Sequence, residues 1–189
     1  AFLSVPREKF VPDGNREAAY IGENFQIGQS RIILEPRTLA KLLDALDIHN
    51  DELVLDIGSG LGYSSAIISL IAEVVIAVED DSSLASESEE ILSEIGVDNV
   101  VVQIGKLEDG APEHGPYDVI ILQGGVGDIP VSILNQLKNG GRIGAIFIEE
   151  GLGTAKIGFK LNNKITWRYS FNAAAPILPG FSKQKDFVL

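Results

Sequence analysis

The chain has 189 residues, 45% hydrophobic and 22% charged, with 27 acidic against 15 basic side chains and a formal net charge of -12. That is enough apolar material for one domain with a sizeable core, and too much for a disordered chain. A strongly acidic chain repels phosphate backbones, and one without Cys forms neither disulfides nor thiolate metal sites.

The acidic excess is concentrated. Residues 42–105 hold 14 acidic side chains and no Lys or Arg, whereas residues 1–41 carry +1, 106–150 carry -4 and 151–189 carry +5. Broad nucleic-acid binding is therefore not expected, while a basic C-terminal face stays open to a partner of opposite sign. The most apolar stretch, residues 66–78, contains Glu73 and is too short and too charged to span a bilayer, so no membrane partner is expected. No secretory signal pattern opens the chain, and a Cys-free chain suits the cytoplasm. Ala1 is not an initiator residue and Met is absent throughout, so a preceding N-terminal segment is expected.

In chain order, residues 1–35 are rich in Pro, Gly and mixed polar residues and read as a loop-dominated opening with one short helix. Pro36 suits a first helical turn, and Leu39, Leu42, Leu43 and Leu46 recur at helical spacing to about Asp47. Residues 53–57 form an aliphatic strand that runs into glycines, followed by a helix over 61–72. A second strand over 74–79 leads to a helix over 83–95 with a Glu-rich exposed face. Third and fourth strands fall at 100–104 and 117–122. A helix over 130–137 starts at Pro130, and Asn139-Gly140-Gly141 ends it ahead of a strand over 142–148. Residues 156–161 and 165–171 flank Asn162-Asn163, a turn signal for an antiparallel pair. Nearly all-apolar strands alternating with helices predict an α/β fold with a parallel sheet covered on both faces. The expectation is a doubly wound, mainly parallel sheet with a C-terminal antiparallel hairpin, in one domain over 1–189. Residues 1–35 form its substrate-side opening, 36–150 its cofactor-binding core and 151–189 its hairpin and tail.

Glycines at 58, 60 and 62 fall between a strand and a helix, where they permit a tight turn and a close approach of backbone to ligand. Glu79 ends the second strand 21 residues after Gly58, a spacing at which an acidic side chain can take both hydroxyls of a ribose. The pair of features points to a nucleoside-bearing cofactor; a plain tight turn is the alternative. A dinucleotide pattern would place its third glycine where Tyr63 stands. Asp56, two residues before Gly58, is awkward for a pyrophosphate and suits a ligand with an ammonium and a sulfonium. That chemistry favours S-adenosylmethionine over NAD.

The chain resembles the protein-L-isoaspartate (D-aspartate) O-methyltransferase family from near its N-terminus to about Ile148. The matching stretches are Val5-Pro6-Arg7-Glu8-Lys9-Phe10-Val11-Pro12, the loop over 55–63, Val78-Glu79, Gly115-Pro116-Tyr117-Asp118-Val119-Ile120 and Gln136-Leu137-Lys138-Asn139-Gly140-Gly141-Arg142. The glycine loop is common to many methyltransferases; the opening stretch is far more specific. The tail over 171–181 looks like that of a bacterial isoaspartyl methyltransferase-like subgroup. The resemblance implies a Rossmann-like S-adenosylmethionine-dependent methyltransferase fold and methyl transfer to the free carboxylate of an isoaspartyl residue in a damaged protein. Its cofactor-side residues would be Asp56, Gly58, Ser59, Gly60, Gly62 and Tyr63 at the loop. Glu79 would take the ribose and Asp80 the adenine edge, with Gly105 and Lys106 flanking adenine.

Two departures bear on substrate. The family carries Thr-Ile-Ser-Gln-Pro where this chain has Ile32-Ile33-Leu34-Glu35-Pro36, so Leu34 replaces a Ser near the reacting carboxylate. Losing a hydroxyl that orients that carboxylate would cost roughly 1.5 to 3 kcal/mol. The usual Gly-Asp-Gly after the third strand is Gly105-Lys106-Leu107, which exchanges an acid for a base.

An ionised carboxylate needs positioning rather than a general base, so no catalytic triad is expected and no catalytic residue is assigned. Substrate-side candidates are Arg31, Leu34, Glu35 and Gln123. Arg31 could pair with a substrate carboxylate or be a solvated loop residue, and Gln123-Gly124-Gly125 lies at the carboxyl edge of the sheet or merely turns the chain. His49 and His114 read as surface residues in polar turns, no metal site is expected, the Glu87, Glu89, Glu90 and Glu94 series reads as a solvated helix face, and Trp167 as sheet packing. Two other readings stand beside carboxyl methylation of isoaspartyl protein: a methyltransferase with another substrate, and a non-catalytic binding module. An NAD-dependent oxidoreductase is more distant.

Overall fold

The opening residues are more structured than their composition suggests. The computed structural model describes residues 1–183; positions 184–189 of the predicted tail segment lie outside the described residues. Two 3-10 turns, Arg7–Phe10 and Asp13–Ala18, lead to a hairpin of strands β1 (Phe25–Gly28) and β2 (Arg31–Ile33). This hairpin corrects the expectation of a loop with one short helix. Its strands are only four and three residues long, so neither shows a readable period. It forms a two-stranded sheet of its own, hydrogen-bonded to no other strand among the described residues.

Helix α1 (Pro36–Leu46) begins at the predicted proline, where the missing N–H has no intrahelical partner to lose. It ends at Asp47 in a left-handed conformation (φ 50°), whose N–H returns to the carbonyls of Leu43 and Asp44. Then come strand β3 (Leu53–Ile57), helix α2 (Tyr63–Ile68), strand β4 (Val74–Glu79), helix α3 (Ser82–Glu94) and strand β5 (Val100–Ile104). Asp81 caps α3, its carboxylate accepting the N–H groups of Ser83 and Leu84 at 2.8 and 3.2 Å. Helix α2 is much shorter than the predicted 61–72, because the three glycines before it hold the turn as far as Gly62 and the regular helix passes into turns after Ile68, with the Ala72 N–H still bonding the Ile68 carbonyl.

Strand β6 (Tyr117–Val126), helix α4 (Val131–Asn135), and strands β7 (Leu137–Glu149), β8 (Leu152–Leu161) and β9 (Lys164–Asn172) complete the fold. The seven-stranded sheet has the order β5-β4-β3-β6-β7-β8-β9, with the first four pairings parallel and the last two antiparallel. Asn139-Gly140-Gly141 does not end a helix. It lies within β7, where pairing jumps from Tyr117 opposite Leu137 to Val119 opposite Arg142, and Gly140 at φ 90° accommodates the irregularity. Asn162 and Asn163, at φ 51° and 59°, form the predicted β8–β9 turn with both central residues in the left-handed region.

Strand alternation sorts the interior into two layers. Val54, Val75, Val119, Ile121 and Ile146 face α1, α2 and α3 on one side. Leu55, Ile57, Ile76, Val78, Ile120, Leu122 and Ile143 face the other, where Leu107, Ala111, Ile129, Ile133 of α4 and the tail residues Leu178 and Phe181 join the same cluster. The tail thus closes part of the second layer. Arg142 ties β7 to the end of α1, donating from Nη1 and Nη2 to the Glu52 carboxylate at 2.7 and 2.8 Å and from Nε to the Leu46 carbonyl at 2.7 Å. The C-terminal positive charge is partly internal: Lys160 is buried and gives its ammonium to the carbonyls of Leu134 and Leu137, while Lys156 pairs with Glu149.

Leu46 is fully buried, and a Cβ at Gly144 would sit 3.0 Å from its Cδ1, so α1 meets β7 there with no slack. Leu46→Ala is expected to destabilise the protein by about 2 to 5 kcal/mol, through lost burial and an unfilled cavity. Urea unfolding followed by circular dichroism measures it.

Candidate functional site

Parallel strands end their carboxyl termini along one edge, and here that edge carries two fully buried carboxylates, Asp56 on β3 and Glu79 on β4. Asp56 is met by hydroxyl and amide donors. Its Oδ2 accepts the Ser64 and Ser65 hydroxyls, each at 2.6 Å, and its Oδ1 accepts Gln123 Nε2 at 2.7 Å. Burial pushes this carboxyl above the ordinary aspartate range, opposed by those three hydrogen bonds and by the charge of Arg31.

Glu79 is met by a cation. Arg31 donates from Nε to Oε1 at 3.2 Å and from Nη2 to Oε2, and its Nε lies 3.6 Å from Asp80 Oδ1. Oε2 also accepts the Gly60 N–H at 2.6 Å, and Oε1 the N–H groups of Asp80 and Asp81. Asp80 remains partly exposed, and its carboxyl is raised by burial and by the neighbouring Glu79. Arg31 itself, expected as a substrate-side or solvated residue, is buried in this pair.

Between the carboxylates runs the glycine turn. Gly58, Gly60 and Gly62 take φ values of 78°, 57° and 89°, a region that side chains with a Cβ rarely adopt. The N–H groups of Gly58 and Ser59 both bond the Val78 carbonyl, which locks the turn to the end of β4. Protein side chains cover the turn. A Cβ at Gly58 would lie 2.8 Å from Arg31 Nη1 and 3.2 Å from Leu178 Cδ2, and one at Gly60 would lie 2.5 Å from Ile27 Cδ1. Arg31 Nη1 and Ser59 Oγ are buried beside the turn without hydrogen-bond partners. The donor set thus fits a cationic nucleoside: two buried carboxylates, an open-backbone turn and an orphaned hydroxyl. The room beside the turn is taken by Arg31, Ile27 and Leu178.

The model of the family described as protein-L-isoaspartate(D-aspartate) O-methyltransferase matches residues 1–163. The chain belongs to this family. It is 37% identical over 143 residues to a protein-L-isoaspartate O-methyltransferase of Syntrophus aciditrophicus, covering 76% of this chain and 66% of that one. A Methanocella arvoryzae relative of the same name is 39% identical over 142 residues, covering 74% and 76%. The match covers 66%, 64%, 61% and 58% of the length of four curated relatives, so the chain spans less than two thirds of each. Among solved structures, a Plasmodium falciparum protein-L-isoaspartate O-methyltransferase in complex with S-adenosyl-L-homocysteine superposes with a TM-score of 0.77 at 20% identity, over 93% of this chain and 87% of that one. Another protein-L-isoaspartate O-methyltransferase superposes at 0.83 and 24% identity, over 95% and 60%. These likenesses establish the methyltransferase fold.

Within that fold, the residues singled out in the sequence separate into three groups. Asp56, Gly58, Ser59, Gly60, Glu79, Gln123 and Arg31 converge on one site. Gly105 and Lys106 follow β5 beside it, with the Gly105 N–H bonded to the Glu79 carbonyl and Lys106 exposed. Gly62 and three others face elsewhere: a Cβ at Gly62 would run into Ser88 Oγ on α3. Tyr63 packs its ring edge-on to Phe10 and under the Arg7 guanidinium, 4.6 Å from the ring centre. Leu34 is 1% exposed and belongs to the core layer of α1, α2 and α3. Glu35 marks the start of α1, where it accepts the Thr38 hydroxyl at 2.9 Å.

Sequence reasoning passed over Ser64, Ser65, Ile27 and Leu178. The serines sit in the first turn of α2, where the helix start brings them back against Asp56; their only sequence signal is two adjacent hydroxyls in an otherwise apolar helix. Among the described residues no cluster of three or more His, Cys, Asp or Glu could hold a metal, and no helix is long and apolar enough to cross a membrane.

Because its folded-state value is raised, Asp56 binds its proton more tightly in the folded protein than in the unfolded chain. Its contribution to stability is thus present at low pH and lost as pH rises from the ordinary carboxylate value through the folded one. The urea midpoint of the wild type relative to Asp56→Asn is expected to fall as pH rises above the ordinary aspartate range, and a pH series of unfolding curves measures the slope.

Proposed function

We propose that this chain is an S-adenosylmethionine-dependent methyltransferase that esterifies the free carboxylate of L-isoaspartyl, or D-aspartyl, residues in damaged proteins. The observation that carries the reading is the pairing of a left-handed glycine turn with buried acids at the ends of adjacent parallel strands, in a chain of this family. Asp56 would hold the cationic amino-acid end of the cofactor, Glu79 its ribose, and Asp80 with Gly105 and Lys106 its base. When bound, S-adenosylmethionine supplies a methyl group on a positively charged sulfonium. Cytoplasmic placement belongs to the same proposal, because a Cys-free chain needs no oxidising compartment.

The chain's own part is positioning and water exclusion. Asp56 keeps a fixed orientation through Ser64, Ser65 and Gln123, so its charge needs no reorganisation on meeting a cation. Ile27 and Leu178 shield the glycine turn from solvent, which strengthens electrostatic interactions within. The substrate carboxylate is ionised at neutral pH, and no general base is required of either histidine, both of which are exposed.

Methylation of a different substrate on the same scaffold is favoured by one observation. Leu34, which stands where the family has a Ser, points into core packing and offers no donor. Leu34→Ser is expected to destabilise the protein by about 2 to 5 kcal/mol, as a truncation in the core does, and this loss is read from the urea midpoint. The proposal itself is tested with isotope-labelled S-adenosylmethionine and paired peptides containing either isoaspartate or aspartate. Base-labile methyl ester is expected on the isoaspartyl peptide alone. Cofactor binding without ester on that peptide would transfer the assignment to another substrate.

A further inference from the structure

A cation lodged in a site built for a cationic ligand needs an explanation, and the hairpin supplies one. Arg31 opens strand β2, and its guanidinium takes both carboxylate oxygens of Glu79 and approaches Asp80. Its third nitrogen, Nη1, is buried without a partner against Gly58. The pair is therefore incomplete as a structural bridge: a forked side chain is desolvated while one of its arms is left unsatisfied. Arg31 is also mounted on an element that shares no ladder with the main sheet. Asn24, at the base of the hairpin, donates to the Ala174 carbonyl at 2.7 Å and accepts the Glu35 N–H at 2.9 Å, so the hairpin is joined to the tail that covers the other side of the turn.

We propose that Arg31 is a latch that holds Glu79 until the ribose of the cofactor displaces it, and that the released guanidinium then receives the carboxylate of the substrate. Binding is thereby ordered, cofactor before substrate. The inference rests on the function proposed above. Its physical basis is competition for one acceptor: Glu79 cannot satisfy the Arg31 fork and two ribose hydroxyls together. Apparent cofactor affinity is lowered by the fraction of molecules in which the latch is closed. Arg31 acts with opposite sign on the two ligands, opposing the cofactor and binding the substrate, and a residue of purely structural importance does not have that signature.

Calorimetry with S-adenosylhomocysteine and an isoaspartyl peptide tests the latch on the wild type, Arg31→Ala and Arg31→Lys. Expected are roughly tenfold or greater tightening of S-adenosylhomocysteine in Arg31→Ala, with a smaller gain in Arg31→Lys, which keeps the charge and loses the fork. The peptide is expected to bind the wild type only with S-adenosylhomocysteine present, and to bind Arg31→Ala at least about tenfold more weakly under that condition. Equal or weaker S-adenosylhomocysteine binding by Arg31→Ala overturns the latch and leaves the proposed function standing, as does peptide binding to the wild type alone. Failure of every variant to bind S-adenosylhomocysteine overturns both. Should Arg31→Ala not fold, amide exchange on the wild type decides: faster exchange across Phe25–Ile33 on adding S-adenosylhomocysteine supports release of the hairpin, and unchanged exchange overturns it.

Discussion

Two carboxylates withdrawn from water at the ends of neighbouring strands set the terms for everything around them. An ionised acid in an apolar interior costs several kcal/mol after relaxation, and it persists only if donors or a cation answer it. The chain answers the two acids differently. Asp56 is met by two serine hydroxyls and a glutamine amide, all neutral, which leaves its charge uncompensated locally. Glu79 is met by three backbone N–H groups and by the guanidinium of Arg31. The geometry of α2, which returns Ser64 and Ser65 to β3, and of the hairpin, which delivers Arg31 to β4, follows from these demands.

The distribution of charge acquires a sharper meaning in that light. Of the 14 acids in residues 42–105, the Glu87, Glu89, Glu90 and Glu94 series lies exposed on α3, while Asp56 and Glu79 are buried. Four of the segment's acids thus lie on one solvated helix, and two interior members carry its chemistry. The C-terminal excess of positive charge divides in the same way. Lys160 serves as an internal cap on two carbonyls, and Lys156 is engaged with Glu149, so the segment offers less free cationic surface than its composition implies.

What could be read from the residues is what local physics decides. Pro36, the apolar period of α1, the aliphatic runs of β3 and β4 and the Asn162-Asn163 turn each declare their geometry within a few positions. The glycine turn and Glu79 were legible because spacing along the chain maps directly onto adjacent parallel strands. Long-range partnerships were not. Arg31 meets Glu79 across 48 positions and Gln123 meets Asp56 across 67, and no periodicity encodes such distances. The extension of β6 through Gly124 and Gly125 was hidden for a related reason. Glycine reads as a loop signal, yet these two omit their side chains so that the tail can pass, with the Gly125 N–H bonding the Pro176 carbonyl at 2.7 Å and Leu178 seated against Gly124.

That tail gives the fold a direction in time. One face of the sheet receives its helices from residues that precede or interleave with the strands, so it can pack as the chain lengthens. The other face waits for Leu178 and Phe181, which are among the last described residues to be synthesised. Until that segment packs, Leu55, Ile57, Val78 and Leu122 lack part of their final cover. That part of the second layer closes with the same segment that shields the glycine turn.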